Sequence, residues 1–289
     1  MKTVNPYTQA DRAERFLALH HDAEVLLLPN IWNPLGARLL VELGYPAVAT
    51  ASAAVAWSLG LRDGERISFP AMLDVVRSVA QAVDVPVTAD IERGYADDLD
   101  ALSENVRQVL RAGAVGINLE DSLVEGGALR SLDSQCERIR AVRSAAQSES
   151  IPLVINARID VFLGGCAGSP EQRLEEAVRR GRAYAEAGAD CLYPIGPGDV
   201  ATLAAVGAAA GVPINAYAHA GTAPLAELAA AGIARLSLGP NLIKTAFTAV
   251  RDAARHLREH GTYEPFTRDV MSGDEVERLL RDGPRPDDA

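Results

Sequence analysis

The chain has 289 residues, of which 48% are hydrophobic, and carries a formal net charge of -11 with a pI near 5.0. That length and apolar content suit one closed α/β barrel with a single large core, and the acidity, with no Lys/Arg-dense block to reverse it locally, excludes nucleic acid as an expected partner. The cysteines, Cys136, Cys166 and Cys191, are too scattered for a disulfide framework or a zinc finger, and no stretch resembles a signal core or a membrane span. A cytoplasmic protein with no membrane contact is expected.

From about residue 25 onward, short β-rich runs alternate with Ala, Leu, Glu and Arg stretches of helical period, the pattern of repeated βα units. The runs are Val25 to Pro29, Ala47 to Ser52, Val85 to Ile91, Val115 to Asp121, Leu153 to Asp160, Cys191 to Ile195, Pro213 to Ala218 and Arg235 to Gly239. Helices are expected between them, among others at Pro34 to Leu43, Pro70 to Val83, Leu99 to Ala112 and Pro170 to Ala187, the last with Ser169 as N-cap. Gly44, Gly113, Gly188 and Gly232 fall where such helices would end in the left-handed conformation. Continuous apolar strands covered on both faces, with no glycine-rich nucleotide motif, favour a single (β/α)₈ TIM barrel over residues 1–260. The segment 261–289 reads as a C-terminal helical arm, amphipathic around Val276 to Leu280, and a frayed tail rather than a second domain.

Function in such a barrel sits at the carboxyl ends of the strands. The third run ends Ala89-Asp90-Ile91-Glu92-Arg93-Gly94-Tyr95, and alternation along an extended strand would point Asp90 and Glu92 to one side. The fourth ends Asn118-Leu119-Glu120-Asp121, and Asp63 follows the second. Converging carboxylates need a cation, and oxygen-only ligation selects Mg²⁺ or Mn²⁺; otherwise Arg62, Arg93 and Arg158 would pair with them as rim salt bridges. Arg158 interrupts the apolar fifth run and requires an anion, either a substrate carboxylate or phosphonate, or Glu120 or Asp160 in a structural pair. Ser52 could offer its hydroxyl and adjacent backbone N–H groups to the same substrate anion. His219, after the seventh run, is a candidate acid or base. His20, His21, His256 and His260 are expected to be solvated, and Cys166 has no activating partner.

Together these motifs resemble the isocitrate lyase and phosphoenolpyruvate mutase superfamily. The likeness covers roughly Leu26 to Ala254 and rests on Leu28-Pro29-Asn30-Ile31-Trp32-Asn33, Thr50-Ala51-Ser52, Gly60-Leu61-Arg62-Asp63, the Asp90 and Glu120 motifs, and Asn156-Ala157-Arg158. It implies that Asp90, Glu92 and Glu120, with Asp63, hold Mg²⁺ directly or through water, that Ser52 and the backbone of Ala53 bind a carboxylate, and that Arg158 lies beside the substrate. The implied activity is a lyase or decarboxylase acting on a small 2-oxo or 2-hydroxy dicarboxylic acid through a metal-bound enolate. Carbon–phosphorus chemistry on a phosphonopyruvate-like substrate, with Arg158 and Arg130 on the phosphonate, and a non-catalytic metabolite-binding barrel are the alternatives. The resemblance also implies a homodimer or homotetramer with exchanged terminal helices. The chain departs from the family in its diagnostic loops. Leu123 to Arg130 has none of the Cys, Lys or His of the isocitrate-cleaving members, and Gly239-Pro240 stands where the oxaloacetate decarboxylase branch carries a histidine after the glycine.

Overall fold

The computed structural model describes residues 8–123, 127–164 and 166–281. The first half of the chain runs α1 (Gln9–Leu19), β1 (Leu26–Leu28), β2 (Asn30–Ile31), α2 (Pro34–Glu42), β3 (Val48–Thr50), α3 (Ser52–Ser58), α4 (Phe69–Ala82), β4 (Val87–Asp90), α5 (Leu99–Arg111) and β5 (Gly116–Glu120). It continues through α6 (Leu132–Ser148), β6 (Val154–Ile159), α7 (Pro170–Ala187), β7 (Cys191–Pro194), α8 (Val200–Ala210), β8 (Asn215–Tyr217), α9 (Leu225–Ala230), β9 (Arg235–Ser237), α10 (Asn241–His260) and α11 (Gly273–Arg281). Every strand pairing is parallel, in the orders β2-β3-β4-β5-β6-β7 and β1-β9-β8. β1 and β2 form one barrel strand interrupted at Pro29, which has no N–H for the ladder, and a bridge from Leu192 to Ile214 joins β7 to β8. The result is a closed (β/α)₈ barrel, and each of the eight expected runs contains an observed strand.

Side-chain oxygens of Asn33, Ser68, Asp98, Ser131, Ser169 and Asp199 accept backbone N–H groups at the starts of α2, α4, α5, α6, α7 and α8. Gly44, Gly113, Gly188 and Gly232 all take positive φ, as their helix-end positions require. On α5, Leu102, Val106, Val109 and Leu110 form the buried stripe expected at helical spacing, packed with Ile139 and Val142 of α6 and the outward strand residues Ile117, Leu119, Ile155 and Ala157. The inward strand residues are different: Asp90, Asn118, Glu120, Asn156, Arg158, Cys191, Tyr193, Asn215 and Arg235 make the barrel interior largely polar. A continuous apolar reading of the strands misses this, because one Asn in an apolar run does not reveal which way it faces.

Two helices lie outside the expected pattern. α3 starts at Ser52, where an extended strand end was expected; the Ala-rich stretch that follows has high helix propensity. α1 packs Ala13 and Phe16 against Leu26, Leu28, Val115 and Val154, and a Cβ on Gly116 would lie only 2.6 Å from the Phe16 ring. α1 also brings His20 inside, contrary to the expectation of a solvated imidazole. His20 is 2% exposed, and its Nδ1 lies 2.8 Å from the Phe16 carbonyl. That contact places the proton on Nδ1 and leaves Nε2 without a partner.

Burial, and secondarily the Arg235 charge, push the His20 pKa down to about 3. Between pH 6.5 and 3 the unfolded chain therefore binds the extra proton, so this contribution to stability is lost as the pH falls through that window. From pH 6.5 to 5 it amounts to about 2 kcal/mol. Urea denaturation of wild type and His20→Leu at pH 7 and pH 5 tests this: the variant should lose about 2 kcal/mol less than wild type, and parallel losses would refute it.

α10 buries only Ile243, leaving Phe247, Val250 and Leu257 exposed by 54%, 62% and 40%. α11 returns to the barrel and seats on α2. Arg38 donates to the Leu279 and Leu280 carbonyls, and Arg278 pairs with Glu42 at 2.5 Å. No helix among the described residues is long and apolar enough to cross a membrane.

Candidate active site

Asp90 terminates β4 with its main-chain N–H donated to Thr50 Oγ1 at 3.0 Å. Its Oδ2 accepts the Ser52 N–H at 3.0 Å and the Ser52 hydroxyl at 2.9 Å, while Oδ1 is buried and has no partner. The sequence reading has Ser52 donating to a substrate anion; in the structure this serine, the first residue of α3, gives its hydroxyl and its N–H to Asp90. Ala53 follows it and is buried.

Glu92 reaches the same rim, but not by strand alternation. β4 ends at Asp90, and Glu92 lies in a turn with φ 52°, a left-handed conformation uncommon for glutamate. Tyr95 in the same turn has φ 55°, and Glu65 in the loop after α3 has φ 58°. The three are interlocked. The Glu65 N–H donates to Glu92 Oε2 at 2.8 Å, and Glu65 Oε1 accepts the N–H groups of Arg93 and Tyr95 at 3.2 and 2.9 Å. From α6, buried Arg138 donates to the carbonyls of Arg93 and Asp97, fixing the outer side of the turn. Gly94, with φ 87°, leaves no room for a side chain, since a Cβ would lie 2.4 Å from Leu102.

Glu120 and Arg158 stand opposite each other in the β5–β6 register. They form an ion pair of 2.6 Å, Arg158 Nε and Nη2 grip Asp160 at 2.6 and 3.0 Å, and Arg93 holds the other Glu120 oxygen at 3.0 Å. Glu120 and Asp160 are thus both structural partners of Arg158. A guanidinium has five N–H groups, so two on Arg158 are left for a further anion. Asp121 faces away and is committed to Arg180 at 3.0 Å and the Tyr184 hydroxyl at 2.7 Å.

The mouth is acidic beyond what its arginines neutralise. Burial, then Asp63 and other acids, pushes the Glu92 pKa up to about 8; desolvation, then Asp90, raises Asp63. Burial also raises Glu120, with Arg158 and Arg93 opposing it. The donors are all oxygen, and Asp90 Oδ1 is a buried carboxylate oxygen with nothing to bind. A hard divalent cation would fit that set, with Asp90, Asp63, Glu92 and Glu120 as the residues that would hold it. Among the described residues, no three such side chains are gathered closely enough to enclose an ion.

Other candidates stand apart. His219 is exposed; its Nδ1 accepts the Gly221 N–H at 3.0 Å and its ring lies against Tyr217, with no hydrogen bond to the carboxylates. Arg62 is exposed and forms no ion pair with these acids. Arg130 turns to Asp97 at 2.7 Å. Cys136 is buried on α6, Cys191 is buried at the start of β7, and Cys166 lies after β6. In the loop after β5, Leu123 donates to the Ala128 carbonyl and Arg130 to that of Asp121, while residues 124–126 fall outside the described residues. The sequence reading missed Glu65 and Arg138. An acid two residues from Asp63 was visible, but its role depends on a left-handed backbone that no side-chain pattern announces.

The sequence profile of the phosphoenolpyruvate phosphomutase family matches residues 16–258. A structure from Burkholderia cenocepacia J2315, assigned to the lyases or mutases, superposes with a TM-score of 0.86 at 36% identity, covering 96% of this chain and 99% of that one. The oxaloacetate decarboxylase of Bradyrhizobium diazoefficiens is 27% identical over 88% of this chain and 87% of its own. A phosphonopyruvate hydrolase in complex with oxalate and Mg²⁺ shares the fold, with a TM-score of 0.81 at 24% identity over 93% of this chain and 94% of its own. With the profile spanning most of the chain and the barrel carrying acids at its functional end, the protein belongs to the phosphoenolpyruvate mutase and isocitrate lyase superfamily.

Proposed function

We propose that this chain is a Mg²⁺-dependent lyase or decarboxylase of a small 2-oxo or 2-hydroxy dicarboxylic acid, working through an enolate. The observation that carries the reading is Asp90 Oδ1, buried and unpartnered, in a mouth shared with Asp63, Glu92, Glu120 and Arg158. When bound, Mg²⁺ supplies electrostatic stabilisation of the negative charge that develops on the substrate oxygen as the bond breaks. Ser52 fixes the other Asp90 oxygen, so that Oδ1 keeps one direction. Arg158, clamped by Glu120 and Asp160, presents its two free N–H groups to a substrate carboxylate from a rigid base. Decarboxylation suits the site best within this class, because CO₂ departs without a proton and the enolate left behind can take its proton from water rather than from an acid on the loop after β5. Arg130 is committed to Asp97, which leaves a phosphonate group with fewer cations than carbon–phosphorus chemistry would call on. The test is a panel of 2-oxo and 2-hydroxy diacids and phosphonopyruvate with Mg²⁺ or EDTA, following pyruvate, CO₂ and phosphate. Metal-dependent release of pyruvate or CO₂ supports the proposal. Phosphate release selects the phosphonate reading, and tight oxalate binding without turnover selects a metabolite-binding barrel.

The thiols give a separate expectation. Cys136 Sγ faces the Ala183 carbonyl, outside the barrel mouth, and burial raises the Cys191 pKa to about 12. Isocitrate and 2-methylisocitrate should therefore be poor substrates, and iodoacetamide should leave the true activity largely intact. Complete inactivation that Cys166→Ser prevents would overturn this.

We further propose that the apolar face of α10 is covered by a second copy, with terminal helices exchanged. Light scattering at micromolar concentration should give a dimer or tetramer, and Phe247→Asp with Val250→Asp should shift it towards monomer. A monomeric wild type would refute the assembly.

A further inference from the structure

Arg235 opens β9 and is fully buried inside the barrel. Its Nε donates to Ser237 Oγ at 3.1 Å, Nη2 reaches Asn118 Oδ1 at 3.5 Å, and Nη1 has no partner. Both amide atoms of Asn215, its register neighbour on β8, are likewise unpartnered. Among the described residues no carboxylate forms an ion pair with Arg235. Burying a guanidinium on neutral partners alone is costly, and an apolar side chain of similar length would serve packing better.

The surroundings indicate what the charge does. Asn118, which receives Arg235, stands in register with Asp90, and Asp90 is among the charges that act on Arg235. Tyr193, inward on β7 opposite Arg158, feels Arg158, Asp90 and Arg235 together. In the mouth, among the described residues, Asp63, Glu65, Asp90, Glu92, Glu120 and Asp160 outnumber the cations beside them, Arg93 and Arg158, with Arg138 acting on Glu65 from outside. Such an excess would grip a cation strongly and repel a dicarboxylate.

We infer that Arg235 is a positioning residue whose fixed positive charge, deep in the barrel beneath Asp90, tempers the acidic mouth so that it holds a divalent cation and an anionic substrate at once. This rests on the function proposed above. Because the charge is buried, solvent screens it weakly. It opposes the cation and favours the anion, so removing it moves the two affinities in opposite directions, which loss of a merely structural contact would not do.

The test uses calorimetry on the full chain: Mg²⁺ alone, then oxalate at saturating Mg²⁺, for wild type, Arg235→Met and Arg235→Lys. Arg235→Met should bind Mg²⁺ about 3- to 10-fold more tightly and oxalate about 3- to 10-fold more weakly, while Arg235→Lys stays near wild type in both. Both affinities falling together in Arg235→Met, both unchanged, or Arg235→Lys behaving as Arg235→Met would overturn the inference. Should Arg235→Met not fold, Arg235→Gln makes the same comparison. A wild type that binds neither ligand would remove the functional proposal, and this inference with it; normal wild-type binding with the wrong response in the variants would remove the inference alone.

Discussion

Asp90→Asn is expected to abolish Mg²⁺-dependent oxalate binding and to lower turnover at least about 10³-fold, while the protein without metal stays folded and is no less stable than wild type. The asparagine oxygen can still accept both Ser52 donors, so the rim keeps its geometry. What disappears is the anionic oxygen, and with it the repulsion that helps hold the Asp63 and Glu92 pKa values up. Loss of metal binding without loss of stability distinguishes a ligand from a structural acid. Calorimetry and thermal melts of wild type, Asp90→Asn and Asp90→Ala measure both, and undiminished metal-dependent oxalate binding by either variant would remove Asp90 from the site.

Arg158→Met should show the opposite combination, a loss of stability as large as the loss of function. Arg158 compensates Glu120, which is 4% exposed, and Asp160, which is 3% exposed, so its removal leaves two buried carboxylates short of a counter-charge. Breaking a buried pair in this way costs about 3–5 kcal/mol. The loss should shrink at lower pH, where Glu120 can take up a proton instead. Urea denaturation at pH 8 and pH 6 reads both effects. A loss below about 1 kcal/mol at pH 8 would mean that Arg158 serves the substrate only and that Arg93 already neutralises Glu120.

These two residues also mark how far the sequence alone could be read. Asp90 was legible because an acid that closes an apolar run at the functional end of a barrel is costly to keep there unless it binds a cation or a counter-charge. Arg158 was legible as a cation needing an anion, but not which anion, since the β5–β6 register that sets it against Glu120 depends on the closed sheet. The strands were legible from their apolar runs, and the helix ends from their glycines. The start of α3 was not, because Thr50-Ala51-Ser52-Ala53-Ala54 satisfies a strand end and a helix start equally well. His20 and Arg235 went unread for a common reason: each lies at the edge of a regular segment, where sequence cannot tell a side chain pointing to water from one turned into the core.

The interlock at Glu65 has a practical consequence for anyone altering specificity by moving loops between relatives. Residues 60–66 and 91–97 are far apart in the chain, yet Glu65 supplies acceptors to one turn while its own N–H is satisfied by Glu92. Three residues in left-handed conformations depend on that exchange. Either segment transplanted without the other would arrive with a backbone it cannot hold, and the graft would relax into a different shape. The two stretches form a single heritable cassette, and chimaeras should carry both or neither.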